Sequence, residues 1–368
     1  IAIVASSLGI YEYDEDNAIV GRLVNNSDFL DSTVTPLGIL FSMDGNSIVV
    51  IINKAPWIVC YAFDSVKGEI GEKLSQAPAI TGSPSSPLDI FITKNNKYIV
   101  TMWWSNNESK VLVNHFDAGI IGQKVPNPNI NRSINNGSCL SPDNKYIGLV
   151  GSSGFALYSF NPETGEIGEQ IGNPPSLLSN TARSVSFSPG NRYIAIALEY
   201  GSNLYVYPFD PETNTFGARV SNPSSMPSIT GSECNGTAVS WSPDGELLAV
   251  GFDHGGYLRV FHFDPVEGAF CGDLSCPVPP VSGYYKGINH MMWPENKALS
   301  FSYGVNSGTN TFSIVPFVKG GGKSNIIFDS PPAEGSMITA DYLIPHIPKD
   351  EYHVLDVQVT IQYGEIVG

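Results

Sequence analysis

The sequence predicts an all-β fold built from a four-stranded unit that repeats along the chain. Three observations lead to this prediction. One strand–turn–strand phrase recurs six times, a second phrase closes the strand that follows it, and 37 Gly and 27 Pro are scattered rather than clustered. Scattered Gly and Pro between short apolar runs are typical of chains made of many short strands.

The first phrase is an aromatic residue or Leu, then a turn of the Ser-Pro-Asp-Gly kind, then a β-rich run. Its copies begin 47 to 54 residues apart, and "FSPGNRYIAIAL" is the clearest of them. The copies start at Phe41, Phe91, Leu140, Phe187, Trp241 and Trp293. Because large side chains recur at one position of the unit, we expect them to pack between neighbouring units rather than to bind a ligand.

The second phrase begins with Asp or Asn, often continues with Pro-Glu-Thr-Gly, and predicts a hairpin turn. Its copies start at Asp14, Asp64, Asp117, Asn161, Asp210 and Asp264. The Asp or Asn side chain accepts hydrogen bonds from the backbone two residues on, and Pro presets the next φ. A Gly such as Gly68, Gly165 or Gly268 then takes a positive φ to close the turn.

Each copy therefore predicts four strands, which in the clearest copy span 184–188, 193–199, 203–209 and 216–221. Four antiparallel strands that recur about every 50 residues are typical of a β-propeller blade. An N-terminal copy without its first strand and a last copy at 285–329 bring the predicted number of blades to seven. Six or eight blades remain alternatives because the ends of the chain are irregular.

The repeat pattern divides the chain into a β-propeller at 1–319 and a C-terminal segment at 320–368. The segment opens with "GGGKS", a flexible composition, and holds three runs of alternating apolar residues at 325–329, 336–344 and 353–363. We expect a small β appendage that anchors the protein. Alternatively, the run 325–329 completes the last blade, and one of the other two runs supplies the strand that the first blade lacks, which closes the ring.

Charge and composition exclude some partners. The chain has 35 Asp and Glu against 19 Lys and Arg, a net charge of −16, which repels phosphate backbones. We therefore predict no nucleic-acid partner. No apolar run reaches bilayer length, so we predict no membrane insertion. The 5 Cys argue against a disulfide framework. The chain opens on Ile1 inside a predicted strand, so we expect its natural N-terminus upstream.

No catalytic constellation emerges from the 6 His. His115 and His262 are expected to be half-exposed strand residues, and His254 a turn residue beside Asp253. His290 lies on a predicted inner strand, where it would face the central channel without a partner base or metal. The remaining two are His346 and His353.

The known catalytic and cofactor motifs are also missing from the chain. It has no Gly-x-Ser-x-Gly elbow, no phosphate-binding loop and no zinc-ligand spacing. The acidic stretches "DEDN" at 14–17 and "DHGG" at 253–256 offer too few spaced oxygens for calcium. We therefore predict no catalytic, cofactor-binding or metal-binding residue, no cofactor, and a protein that is not an enzyme.

Two resemblances to known families follow from these residues. The stretch "SFSPGNRYIAIALEYGSNLYVYPFDPETNTFGARVSNPSS" resembles lactonase-type seven-bladed propellers and, more loosely, WD-repeat proteins. This resemblance covers residues 1–318. It implies a hydrolase with its site at the mouth of the central channel. The lactonase catalytic side chains have no assigned counterparts here, and the Trp-Asp and Gly-His dipeptides of WD repeats are absent.

The second resemblance comes from copies that end "FG…NP" and from the tail "IIFDSPPAEGSMITADYLIPHIPKDEYHVLDVQVTIQYGE". Together they resemble structural proteins of tailed bacteriophages. The resemblance implies a non-enzymatic virion protein of the tail, baseplate, fibre or head surface, assembled in the host cytoplasm and exposed extracellularly. Its expected partners are other virion proteins, as multiple symmetric copies, and a host cell-surface protein or glycan.

The phage structural protein is the leading expectation, and two alternatives stay open. A lactonase-like hydrolase predicts polar side chains from several blades that converge within hydrogen-bond reach at the channel mouth. A cellular propeller scaffold that binds peptides predicts a solitary monomer.

Overall fold

A computed structural model describes most of the chain, and all of its regular structure is β. The described residues are 2–4, 8–14, 19–26, 30, 34–78, 86–105, 108–128, 130, 133, 135–177, 181–199, 204–226, 235–253, 258–274, 285–295, 298–305, 310–319, 352–354 and 359–361. Within these ranges there is no helix that is long and apolar enough to cross a membrane.

The described strands form antiparallel sheets in which sequence neighbours pair, and five of these sheets have four strands. The three-stranded sheet 1 contains β1 (Ala2–Val4), β2 (Leu8–Asp14) and β3 (Ile19–Asn26). Sheet 2 contains β4 (Pro36–Phe41), β5 (Ser47–Ile52), β6 (Ile58–Asp64) and β7 (Glu69–Gln76), and sheet 3 contains β8 (Ser86–Ile92), β9 (Tyr98–Ser105), β10 (Glu108–Asp117) and β11 (Ile120–Lys124). Sheet 4 contains β12 (Gly137–Leu140), β13 (Tyr146–Gly151), β14 (Gly154–Phe160) and β15 (Ile167–Ile171), and sheet 5 contains β16 (Ala182–Phe187), β17 (Tyr193–Leu198), β18 (Leu204–Asp210) and β19 (Thr215–Phe216). Sheet 6 contains β20 (Gly236–Trp241), β21 (Leu247–Phe252), β22 (Leu258–Asp264) and β23 (Ala269–Leu274).

Sheet 7 contains β24 (Tyr285–Glu295), β25 (Ala298–Val305) and β26 (Asn310–Lys319), and two short strands pair with the outer edge of β26. These are β27 (Tyr352–Val354) and β28 (Val359–Ile361). Part of the predicted run 353–363 thus extends the last sheet, and none of the described strands of the C-terminal segment pairs with sheet 1. The runs 325–329 and 336–344 lie outside the described residues. A separate appendage beginning at residue 320 stays a prediction.

The hydrophobic core lies between neighbouring sheets. The second strand of a sheet shows why: all six residues of β17 are buried, although alternate residues point in opposite directions. Ile194, Ile196 and Leu198 pack toward sheet 4, whereas Tyr193 packs toward sheet 6. Strands buried on both faces are expected to be continuous apolar runs, and "YIAIAL" is one. This face-to-face arrangement of sheets gives the predicted β-propeller architecture; seven blades in a closed ring stays a prediction.

The first strands of consecutive sheets pack against one another, from β4 through β8, β12 and β16 to β20. We call these five the inner strands, because the sheets converge there: among the described fourth strands of the same sheets only β7 and β11 pack comparably. The first strand of sheet 7, β24, also packs against β20. The predicted packing positions Phe187, Trp241 and Trp293 are buried at the ends of such first strands.

The prediction is off by one residue in sheet 3. Ile92 pairs with Ile99 as Phe41 pairs with Ile48, so Ile92 holds the packing position and is buried. Phe91 occupies the preceding position and is half-buried. The turn fixes this register, because Thr93 forms the same bonds across the turn that the Ser residues form in the other copies.

The second phrase forms the predicted hairpin. In sheet 4, Asn161 Oδ1 accepts the Glu163 amide at 2.9 Å, and the Gly165 amide donates to Asn161 O at 2.8 Å. The φ values of Gly68, Gly165 and Gly268 are 73°, 73° and 68°, as expected.

These hairpins also connect sheets through three tyrosines, each the first residue of a second strand. The hydroxyl groups of Tyr98, Tyr146 and Tyr193 donate to backbone carbonyls in the hairpin of the next sheet. The acceptor carbonyls belong to Glu163, Pro211 and Pro265. The turn residues are thus part of the architecture.

The fourth strand of sheet 5 is shorter than predicted. We expected 216–221, whereas β19 covers Thr215–Phe216. The cause lies in the neighbouring strand. Phe209 N donates to Arg192 O on the side of β17, so the nitrogen of Pro208 faces β19 and has no hydrogen to donate. Only isolated bonds continue the edge, such as Val220 N to Val206 O at 2.8 Å.

The turn between the first and second strands of these sheets contains a residue with positive φ. The residues at this position are Gly45, Asn96, Asn144, Asn191 and Gly245. Two of the Asn side chains reach the preceding sheet: Asn96 Oδ1 accepts Met43 N at 2.9 Å, and Asn144 Oδ1 accepts Lys94 N at 2.6 Å.

Asn191 lacks this bond. The corresponding residue of the preceding sheet is Pro142, which has no amide hydrogen. Asn191 is 7% exposed, and no donor in the described part of the chain reaches its buried Oδ1. An unsatisfied buried acceptor destabilises the folded state.

We predict that Asn191→Gly raises the free energy of unfolding by about 1 kcal/mol, because it removes the unsatisfied acceptor from a position that glycine occupies without strain. The matched variant Asn144→Gly loses a bond and lowers the same quantity by about 1 kcal/mol. Urea unfolding measures both. Equal effects of the two substitutions would contradict this explanation.

Candidate functional site

The inner strands carry one acidic side chain, Asp89, on β8. The strand pairings align it with Gly38, Gly137, Ser184 and Ala238 on the other four inner strands. Small residues therefore occupy this place where sheets converge, and a half-buried carboxylate departs from the pattern.

The Asp89 carboxylate connects two sheets. Its Oδ1 accepts the Ile90 amide at 2.9 Å. Its Oδ2 accepts both the amide and the hydroxyl of Ser138 at 3.1 Å, and Ser138 lies on the inner strand of the next sheet. Polar side chains of two sheets thus meet within hydrogen-bond distance.

Burial raises the pKa of Asp89 to about 6, against the opposing effect of its hydrogen bonds to Ile90 and Ser138. Removal from water disfavours the charged form more than these three donors favour it. A carboxyl group with this pKa is mostly ionised at neutral pH and exchanges protons readily there. Acid–base catalysis requires these properties.

A purely structural role does not explain the charge. Ser184 holds the aligned position in sheet 5, and its Oγ accepts the Val239 amide of the next sheet at 3.2 Å. A neutral hydroxyl therefore makes the same connection between sheets without the cost of desolvating a carboxylate.

Four inner strands contain a β-bulge directly before the position of Asp89. The extra residues are Leu37, Leu88, Arg183 and Thr237. Leu37 is 47% and Leu88 36% exposed, and Arg183 is also exposed. Bulges re-aim side chains and are frequent beside functional sites.

The single cation of the five inner strands is Arg183. Its Nη2 lies 2.9 Å from Oε1 of Glu199, which directly follows β17. The charge of Arg183 is therefore already compensated within its own sheet.

The thiol of Cys139, next to Ser138 on β12, is close enough to Asp89 to be affected by its charge. Burial raises the pKa of this thiol far above its ordinary value, and the negative charge of Asp89 raises it further. A thiol in this state stays protonated and is a poor nucleophile. Cys60, Cys139 and Cys271 are free thiols.

The histidines singled out in the sequence do not meet in one place. His115 is exposed with its ring centroid 5.2 Å from that of Tyr98, and His262 is half-buried on β22. The backbone of His290 lies on β24, where its pairing with Ser302 puts it in the same register position as Asp89. The backbone of His353 lies on β27, and His254 and His346 lie outside the described residues.

No group of three His, Cys, Asp or Glu among the described residues is placed to hold a metal ion. Sequence reasoning missed Asp89 because it searched for local motifs. The available signal was the comparison of copies: "PLDIFI" places an acid inside a strand where four other copies have Gly, Ser or Ala.

No known protein family matches this sequence, and no curated protein does. The fold is similar to a periplasmic gluconolactonase from Pseudomonas aeruginosa, at 14% identity and a TM-score of 0.63, over 97% of this chain and 98% of that one. A candidate 6-phosphogluconolactonase from Bacteroides fragilis is similar at 14% identity and a TM-score of 0.60, over 85% of this chain and 87% of that one.

Hsv2 from Kluyveromyces lactis is similar at 13% identity and a TM-score of 0.54, over 86% of this chain and 90% of that one. At these identities the similarity establishes the propeller fold alone.

These neighbours contradict the prediction that the protein is not an enzyme, because proteins named as lactonases share its fold. That prediction was wrong in its reasoning, since missing motifs do not exclude hydrolysis by an isolated carboxylate and water. None of the matches points to a phage virion, so that expectation, with its partners and localisation, stays a prediction.

The raised pKa predicts a pH-dependent stability. Because the pKa of Asp89 rises to about 6 in the folded state from about 3.9 unfolded, the folded state binds the extra proton between these values. The free energy of unfolding should fall by about 2 kcal/mol from pH 4 to pH 7 relative to Asp89→Ser. Urea unfolding at several pH values measures this difference. A difference that does not change with pH would contradict the assigned shift.

Proposed function

We propose that this protein hydrolyses a lactone, with Asp89 as the general base. The observation that supports the proposal is the position of this carboxylate: it lies where the sheets converge, with a pKa near 6, at a place that small residues occupy in sheets 2, 4, 5 and 6. The similarity to proteins named as gluconolactonases supports the reaction class, since it supplies a fold that carries such chemistry.

The reaction needs one group that first accepts and then donates a proton. Asp89 takes a proton from a water molecule as the water oxygen attacks the lactone carbonyl carbon. The tetrahedral intermediate collapses, the bond between that carbon and the ring oxygen breaks, and the ring oxygen receives the proton back from Asp89. The product is the hydroxy acid, and the carboxylate is regenerated.

The geometry of Asp89 suits this role. A carboxylate has about four lone-pair sites, and three hydrogen bonds from Ile90 and Ser138 leave one for water. The same bonds fix the orientation of the carboxylate. Its raised pKa makes it a stronger base than an ordinary Asp, while it remains mostly ionised at pH 7.

We predict that Asp89→Asn lowers kcat for lactone hydrolysis by about 10²- to 10⁴-fold, the usual contribution of a general base. Wild-type kcat/KM should rise with pH through about 6 and then level off, because the base must be ionised. Initial rates come from proton release in weakly buffered solution, with glucono-δ-lactone and simple δ-lactones as substrates.

Ser184→Ala is the matched control, because it removes the hydrogen bond to the Val239 amide at the aligned position without touching a carboxylate. It should keep its rate within about twofold. Unchanged hydrolysis in Asp89→Asn, or no enzymatic turnover of any lactone, would reject the proposed function.

A further inference from the structure

Two leucines lie exposed beside the proposed base. Leu88 directly precedes Asp89, and Leu37 holds the same bulge position on the neighbouring inner strand β4. They are 36% and 47% exposed. Single exposed apolar residues are ordinary, but here the bulge position exposes a leucine on each of two neighbouring inner strands, one of them directly before Asp89.

The other exposed aliphatic side chains do not share this arrangement. Val66 and Val266 are 95% and 86% exposed, and both lie in hairpin turns, of sheets 2 and 6 respectively. Ile120 is 49% exposed and lies at the start of the fourth strand β11. None of these three residues lies on an inner strand. Val66 therefore provides a matched control for an exposed aliphatic residue outside the site.

The charges around Asp89 disfavour an anionic substrate. The one cation of the inner strands, Arg183, is paired with Glu199, and the chain as a whole has a net charge of −16. A phosphate or carboxylate group on the substrate would meet the Asp89 carboxylate without a free counter-charge from these strands.

We propose that the substrate is an uncharged lactone with a hydrocarbon substituent, which packs on Leu37 and Leu88 while the ring carbonyl lies at Asp89. This inference rests on the proposed function. It names a substrate class different from the sugar lactones in the names of the structural neighbours. The binding energy comes from apolar surface removed from water, and each methylene that is covered adds to it.

The test compares δ-lactones that carry unbranched alkyl substituents of one to eight carbons with glucono-δ-lactone and its 6-phosphate. Wild-type kcat/KM should rise about two- to fourfold per methylene over the first few carbons. Leu37→Ser and Leu88→Ser should each flatten this rise and lower kcat/KM for the longest chain by about tenfold, with the one-carbon lactone changed by less than about threefold. Val66→Ser should leave the rise intact, and thermal unfolding confirms that each variant is folded.

A second readout separates this inference from the proposed function. Calorimetry measures binding of the corresponding alkyl δ-lactams, which resist hydrolysis, to the wild type and to Leu37→Ser/Leu88→Ser. Chain-length-dependent binding that the double variant loses supports the apolar site even where Asp89→Asn hydrolyses lactones normally, a result that rejects only the proposed function. Hydrolysis that depends on Asp89 but shows no chain-length preference, or a preference for the sugar lactones, overturns the inference alone.

Discussion

Packing between neighbouring sheets is the interaction on which the rest of this structure depends. A second strand such as β17 is buried on both faces because its sheet packs against a neighbour on either side. A fully buried aliphatic side chain contributes about 1.5–3 kcal/mol, so these strands account for much of the stability. Hydrogen bonds from tyrosine and asparagine side chains also join neighbouring sheets, and unlike the apolar contacts they require a defined orientation of the two sheets.

The same packing explains why the pKa of Asp89 on the inner strand β8 is raised. Four of the five inner strands carry a small residue at this position, among them Gly38, Gly137 and Ala238. A carboxylate there loses much of its hydration, which raises the pKa of Asp89. The architecture therefore creates the conditions for acid–base chemistry at one position, and the bulges before it decide which side chains surround that position.

Sequence reasoning predicted what repeats and missed what occurs once. The period and the turn chemistry predicted the four-stranded sheets and the hairpins, because Asp, Asn, Pro and Gly act locally. The packing position in sheet 3 was shifted by one residue, because Phe91 looks more like a core residue than Ile92, and the turn decides otherwise. Asp89 was missed because its significance depends on burial, which exists only after the sheets have assembled.

Assembly of the sheets places a carboxyl group with a raised pKa on the inner strands. Direct titration of the Asp side-chain carboxyl ¹³C resonances by NMR tests it, with Asp89→Ser identifying the resonance. We expect the Asp89 carboxyl to titrate near pH 6 and its signal to disappear in the variant. Titration of Asp89 near pH 4 or below, as for an ordinary solvated Asp, would contradict it.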